Sequence, residues 1–241
     1  MKITILTMFP EMIASLQNAP IVMHACKKGI VALEIVDIRD YAEGSFRDID
    51  DSPYGGGAGM ILRCAPVLKA LHAVKDEHSY TVLSAAAGTP YTQQKAHELA
   101  AKDHLILICG HYEGVDARIN AAVDETVSIG DYIVSGGEYP AMIIADSIVR
   151  LLDGVIKKES TEEESFEHGL LEYPQYTKPA VYEGQAVPEV LLSGNHEKIA
   201  RWRKKEALRM TLQYRPELLD QLSLSEEEKE LLEELKRDNA E

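Results

Sequence analysis

Three glycine-rich segments concentrate the residue types that hold small ligands. The first reads PYGGGAGM over residues 53–60, so that Gly55, Gly56, Gly57 and Gly59 follow Tyr54 with four glycines in five positions. Glycine admits positive φ angles and close backbone approach, which suits a phosphate, a flat base or simply a tight surface turn. The segment lacks the Lys-Ser/Thr of a P-loop and the GxGxxG spacing, so both common nucleotide fingerprints fail on residues. The second segment, GHYEGVD over 110–116, and the third, GDYIVSGGE over 130–138, each combine Gly, Tyr and an acid directly after an apolar run. Open α/β sheets bind ligands beyond the carboxyl ends of their strands, so these loops predict a pocket with aromatic walls and a few fixed polar groups. Tight β-to-α turns with tyrosine in the core are the plainer alternative.

The charged residues are unevenly placed. The 25 Lys+Arg against 40 Asp+Glu leave a net charge of −15, which argues against a protein that coats nucleic acid or anionic membrane with its whole surface. Yet Lys198, Arg201, Arg203, Lys204, Lys205, Arg209 and Arg215 crowd one short stretch against Glu206 alone, a local net of +6 in a chain that is otherwise −21. Such a concentration fits a local meeting with a phosphate backbone, or else a solvated helix face, and Trp202 and Tyr214 there either stack on bases or fill a core. Arg150 and the carboxylates Glu162, Glu163 and Glu164 offer a charge stabiliser and a base, although alone they read as ordinary surface charges. The chain has no HExxH pair and no GxSxG elbow, which removes zinc and serine hydrolase chemistry. Cys26, Cys64 and Cys109 are scattered without a CxxC pair, as expected of a reducing cytosol.

The elements that must position these loops follow from periodicity. Apolar β-type runs recur at residues 3–7, 31–38, 80–84, 104–109 and 126–129, alternating with amphipathic stretches such as 66–74 and a helix capped by Thr92. That alternation predicts a parallel α/β sheet flanked by helices. No run approaches the ~18 apolar residues of a membrane span, and the start reads as a first strand, not a signal peptide. At 157–167 the chain reads KKESTEEESFE, a polar and acidic stretch expected to be a mobile linker. Beyond it, 195–212 and 225–237 look helical, the second opening on a capping-box-like Ser225 and Glu228.

The strings PYGGGAGM, CGHYEGVDARI, SIGDYIVSGGEYPAMIIADSIVR, SFEHGLLEYPQYTKP and VPEVLLSGNHEKIARWR, in this order and spanning almost the whole chain, together resemble the bacterial tRNA (guanine-N1)-methyltransferases, the TrmD family. The resemblance implies a SPOUT-type parallel α/β sheet with a deep trefoil knot over residues 1–156. It also implies a flexible acidic linker at 157–172, a small helical tRNA-binding domain at 173–241, and an obligate homodimer. Knots are rare exceptions to unthreaded topology, so periodicity alone would not have suggested one.

S-adenosylmethionine is the cofactor the resemblance implies, held mainly by backbone groups. The matching positions are Gly110, Tyr112, Glu113 and Gly114 in the second segment. In and around the third they are Ser128, Ile129, Gly130, Asp131, Tyr132, Ile133, Val134, Gly136 and Gly137, with Ala86 and Gly88 as adenine-side neighbours. The implied reaction methylates N1 of guanine 37 beside the anticodon of a tRNA, with guanine 36 also read. N1 carries a proton, so the chemistry needs a base near N1 and a cation near O6. Arg150 matches the family's arginine, and Glu164 stands where the family has aspartate before Ser165, with Glu163 as the fallback base. Tyr54, Gly55, Gly56, Gly57, Gly59, Ser165, His196, Arg201, Arg203 and Lys204 are the expected tRNA contacts. Mg2+ dependence is what the family implies, with Glu113 and Glu164 as acids that could help place an ion, without an assigned metal site.

Two departures accompany the match. The Asp-to-Glu change lengthens the base by one methylene, and residues 83–88 read LSAAAG where the family often has Ser-Pro-Gln-Gly. The competing readings are a knotted methyltransferase for another RNA site, a noncatalytic RNA-binding relative, and a dinucleotide-dependent oxidoreductase; the missing fingerprint opposes the last.

Overall fold

A computed structural model describes residues 1–44, 47–161 and 163–238. The chain divides into two compact units, Met1–Lys157 and Lys158–Glu241.

The first unit is built on five strands, β1 (Lys2–Thr7), β2 (Ala32–Asp37), β3 (Ser79–Pro90), β4 (His104–Ile108) and β5 (Glu125–Ser128). They hydrogen-bond in the order β2-β1-β4-β3-β5, every pair parallel. Both faces of such a sheet are covered, which is why β1 and β4 read as nearly continuous apolar runs. Successive side chains leave on opposite faces. Ile3, Ile5, Leu105 and Leu107 enter one core with helices α1 (Pro20–Lys27), α3 (Gln93–Ala100) and α4 (Glu138–Val149), while Leu6, Ile106 and Ile108 enter the other with α2 (Cys64–Val74). On α4 the buried Pro140, Ala141, Ile144, Ala145, Ile148 and Val149 recur every four residues, a single helical stripe. Thr92 caps α3 as expected, its side chain accepting from the Lys95 N–H.

β3 runs beyond the 80–84 segment expected from the apolar run. Val127 pairs first with Ser84 and again with Thr89, so residues 85–88 bulge out of the ladder at the carboxyl edge. Gly88 sits against β5 so closely that a Cβ there would lie 2.4 Å from the Val127 carbonyl carbon. At the opposite, amino edge, His104 is buried, its Nδ1 2.8 Å from Asp76 Oδ2 and its Nε2 2.9 Å from Thr4 Oγ1, and Thr4 donates to Glu34.

The second unit centres on α5 (His196–Tyr214) and α6 (Glu226–Asp238), which enclose Leu208, Leu231 and Leu235 together with Leu170, Leu219 and Leu224. Asn195 caps α5, and Ser225 and Glu228 form the capping box at the start of α6, each donating a backbone N–H to the other's side chain. Within the expected linker, Lys158–Thr161 form one helical turn, and the Leu171 N–H donates to Thr211 on α5. Among the described residues no helix is long and apolar enough to cross a membrane.

Candidate functional site

The second and third glycine-rich segments leave the carboxyl ends of β4 and β5 and cross in backbone contact. The Gly137 N–H donates to the Gly110 carbonyl at 2.7 Å, and His111 bridges to Gly136 beside it. A Cβ on Gly137 would lie 2.5 Å from the Gly110 nitrogen and 2.7 Å from the Cys109 Cα. Since Gly137 has φ −72°, its glycine is needed for closeness and not for conformation.

Between the crossing loops and the β3 bulge lies a cavity of about 300 Å³. Of the expected cofactor residues, Ala86, Gly110, Tyr112, Glu113, Gly114, Ser128, Ile129, Gly130, Tyr132, Ile133, Val134, Gly136 and Gly137 line it. Gly88 and Asp131 are not among its lining residues; Gly88 serves the β3–β5 approach. The wall also contains Ser84, Ala85, His111, Val115, Val127, Ser135 and Pro140, which sequence reasoning did not assign. His111, Val115 and Ser135 lay within the second and third glycine-rich segments themselves, which was the signal that could have found them.

Internal bonds set the shape of this wall. Ser128 Oγ accepts from the Gly130 N–H, and the Tyr132 hydroxyl donates to the Ile129 carbonyl. Tyr112 holds a left-handed backbone, φ +61°, and donates its hydroxyl to Asp50 at 3.3 Å; burial and that carboxylate raise its pKa. Glu138 is buried at the start of α4, where it accepts from Thr7 Oγ1 at 2.8 Å. Burial, reinforced by Glu138, pushes the neighbouring Cys109 thiol up and leaves it inert. His111 lies between the Phe9 and Tyr112 rings, with centroids 5.1 and 5.0 Å away.

The first glycine-rich segment joins the same site. The Glu113 N–H donates to Met60, the Leu62 N–H to Gly114, and Gly59 leaves room for the Glu113 side chain, which a Cβ would meet at 2.5 Å. Gly55, Gly56, Gly57 and Gly59 all adopt positive φ, and Tyr54 is fully exposed at the tip.

The remaining candidates are distributed between the units. Arg150 caps the carboxyl end of α4 in the first. In the second, Ser165 Oγ accepts from the Glu172 N–H, and Glu163 accepts from the Tyr173 hydroxyl at 2.5 Å and from Arg203 at 3.3 Å. Burial and Glu163 push Tyr173 up to about 12. Glu162 lies outside the described residues. His196 is exposed in the first turn of α5. The basic helix is not a bare cationic face: Arg201 pairs with Glu234 at 2.8 Å, Lys204 with Glu227 at 2.6 Å, and Lys205 with Glu234 and Asp238, both at 3.2 Å. Trp202 packs with Tyr173 and Tyr176. Among the described residues no group of three or more His, Cys, Asp or Glu is placed to hold a metal ion.

A parallel sheet with a cavity between crossing loops at its carboxyl edge defines an α/β protein, with the cavity where open sheets of this class bind ligands. The model of the tRNA (Guanine-1)-methyltransferase TrmD family matches residues 1–221. The tRNA (guanine-N(1)-)-methyltransferase of Dictyoglomus turgidum is 48% identical over 239 residues, 99% of this chain and 98% of that protein. The protein of the same name from Syntrophomonas wolfei is 51% identical over 236 residues, 98% and 97% of the two chains. That from Carboxydothermus hydrogenoformans is 50% identical over 234 residues, 96% and 92%. The chain belongs to the tRNA (guanine-1)-methyltransferase family, TrmD.

Proposed function

We propose that this protein is a cytoplasmic enzyme that transfers a methyl group from S-adenosylmethionine to N1 of guanine 37 in a tRNA, reading guanine 36 as well. The observation that carries the reading is the cavity between the 110–116 and 129–137 loops, in a chain of this family. Its residues suit the cofactor. Ile129, Ile133, Val134 and Pro140 provide apolar walls for a flat base, the glycines expose backbone groups, and Glu113 stands at the wall as an acceptor for cationic or hydroxyl groups. The bound cofactor supplies an electrophilic methyl group.

The protein's part is to prepare the guanine. A carboxylate takes the N1 proton as the nitrogen becomes a nucleophile, and a guanidinium stabilises the charge that builds on O6. Arg150 is the guanidinium and Glu164 the base of this reading. Glu163, whose carboxylate accepts from Tyr173 and Arg203, is the fallback base. Tyr54 and the glycines at 55–59, with Ser165, His196, Arg201, Arg203 and Lys204, contact the RNA. The deep knot, the SPOUT assignment and the homodimer belong to the same proposal. The tight Gly110–Gly137 crossing and the exposed Ile133, Tyr139 and Ile143 beside the cavity support them, since a second copy would cover that apolar surface.

The test is transfer of labelled methyl from S-adenosylmethionine to a tRNA transcript with guanine at 36 and 37, beside one with adenine at 37. Transfer to the first alone is expected. Cofactor binding without transfer would overturn the reading in favour of a silenced RNA-binding relative or another RNA substrate.

A further inference from the structure

We infer that helix α6 is an intramolecular mimic of a phosphate backbone that occupies the RNA-facing cations of α5 and thereby sets the selectivity of the second unit for its RNA. The inference rests on the reading above in assuming that α5 meets RNA.

Two helices of opposite charge are laid together. Within α5 six Lys or Arg stand against two Glu, a net of +4; within α6 seven acids stand against three bases, a net of −4. The pairing is directional as well as compositional. Arg201, Lys204 and Lys205 recur at helical spacing on one face of α5, and their partners Glu227, Glu234 and Asp238 on one face of α6, at 2.6 to 3.2 Å. Of the other four α6 acids, Glu226 and Glu233 pair with Lys229 and Lys236 of the same helix, and Glu228 accepts from Ser225 at its start. α6 also lies beyond residue 221, where the family model ends.

These interhelical pairs are substantially exposed, and exposed pairs contribute little to stability; α6 is docked by Leu231 and Leu235. Their larger effect is on competition. Carboxylates spaced along a helix present an RNA phosphate with an occupied site, so a strand gains counterion release only after displacing them. An RNA with further contacts, at the 53–60 loop and over the target base, bears that cost, whereas an RNA offering phosphates alone does not. α6 therefore acts against nonspecific polyanions more than against the specific substrate.

The experiment compares the parent, E227Q/E234Q and the control E226Q/E233Q, which makes the same change of charge away from α5. Binding to the guanine-36/37 tRNA transcript and to a poly(U) oligomer is followed by anisotropy across a salt series, with helicity checked by circular dichroism. At roughly 0.7 in log–log slope per phosphate contact on a single strand, freeing Arg201 and Lys204, while Lys205 keeps Asp238, steepens the poly(U) slope of E227Q/E234Q by about 1.4. Its poly(U) affinity at low salt rises at least about tenfold, while tRNA affinity rises less. If the double variant loses helicity, E227Q alone frees Lys204 and shifts the slope by about 0.7. An unchanged slope, or an equal gain in E226Q/E233Q, overturns the inference. A parent that neither binds nor methylates the tRNA overturns the functional reading instead.

Discussion

Replacing Gly137 by alanine tests the loop crossing directly. Its φ of −72° suits any residue, so the substitution carries no conformational strain and its cost comes from contact alone. The new Cβ would lie 2.5 Å from the Gly110 nitrogen, against ordinary contact from 3.4 Å upward, so the second and third segments must part by about 0.9 Å. Overpacking of this kind costs roughly 1–3 kcal/mol, and loss of the Gly137–Gly110 hydrogen bond about 0.5–1.5 more. At about 2–4 °C per kcal/mol, melting should fall by roughly 3–18 °C. S-adenosylmethionine affinity, measured by calorimetry, should fall more than tenfold, because both cavity walls move. Gly56→Ala is the contrast: φ is +80° with no atom within 4 Å, so it should cost only about 1 kcal/mol and leave cofactor affinity intact. A Gly137→Ala protein with parental melting and cofactor affinity would show that the loops do not touch, and would refute the account of the cavity.

Arg150→Ala and Glu164→Gln should lose most turnover while keeping cofactor affinity; parental turnover in Glu164→Gln would exclude it as the base. Asp76 is held at about 2 chiefly by its hydrogen bond to His104, then by Ser79. A depressed carboxylate stabilises above its unfolded value of roughly 3.9 and loses that contribution as pH falls through the folded value, so Asp76→Asn should flatten the loss of stability between about pH 4 and 2. Identical pH–melting curves would refute this. Leu208 is fully buried in a core of few side chains, so Leu208→Ala should cost about 2–5 kcal/mol and melt the second unit first, as followed by the fluorescence of Trp202.

The strands were legible because a sheet covered on both faces needs apolar residues at nearly every position, which sets runs such as HLILI apart from amphipathic stretches. The extension of β3 was not, because SAAAGTP has neither alternation nor β-branched weight before Thr89; it is held by its neighbour, not by its own propensity. The cavity loops could be placed from glycine and tyrosine following strand ends. Which glycines line the cavity could not, since Gly88 and Gly137 are both close-approach glycines and only the first is turned away from it. The ion pairing of the basic helix was not legible for a related reason: composition counts cations on one element but not the acids that a second element lays across them.

The place of β5 in the sheet bears on how the protein is made. Among the described residues its one strand neighbour is β3, and it is the last of the five strands in the chain, so it is made after the β1–β4–β3 core that it extends, and the 129–137 loop that closes against Gly110 comes after it. During vectorial synthesis, a nascent chain that has emerged only as far as β4 holds much of the sheet but only the Ser84–Ala86 wall of the pocket. The methyl donor cannot assist those early stages. It acts by mass action on the completed molecule alone, so retention of ligand reports whether a given copy has finished folding.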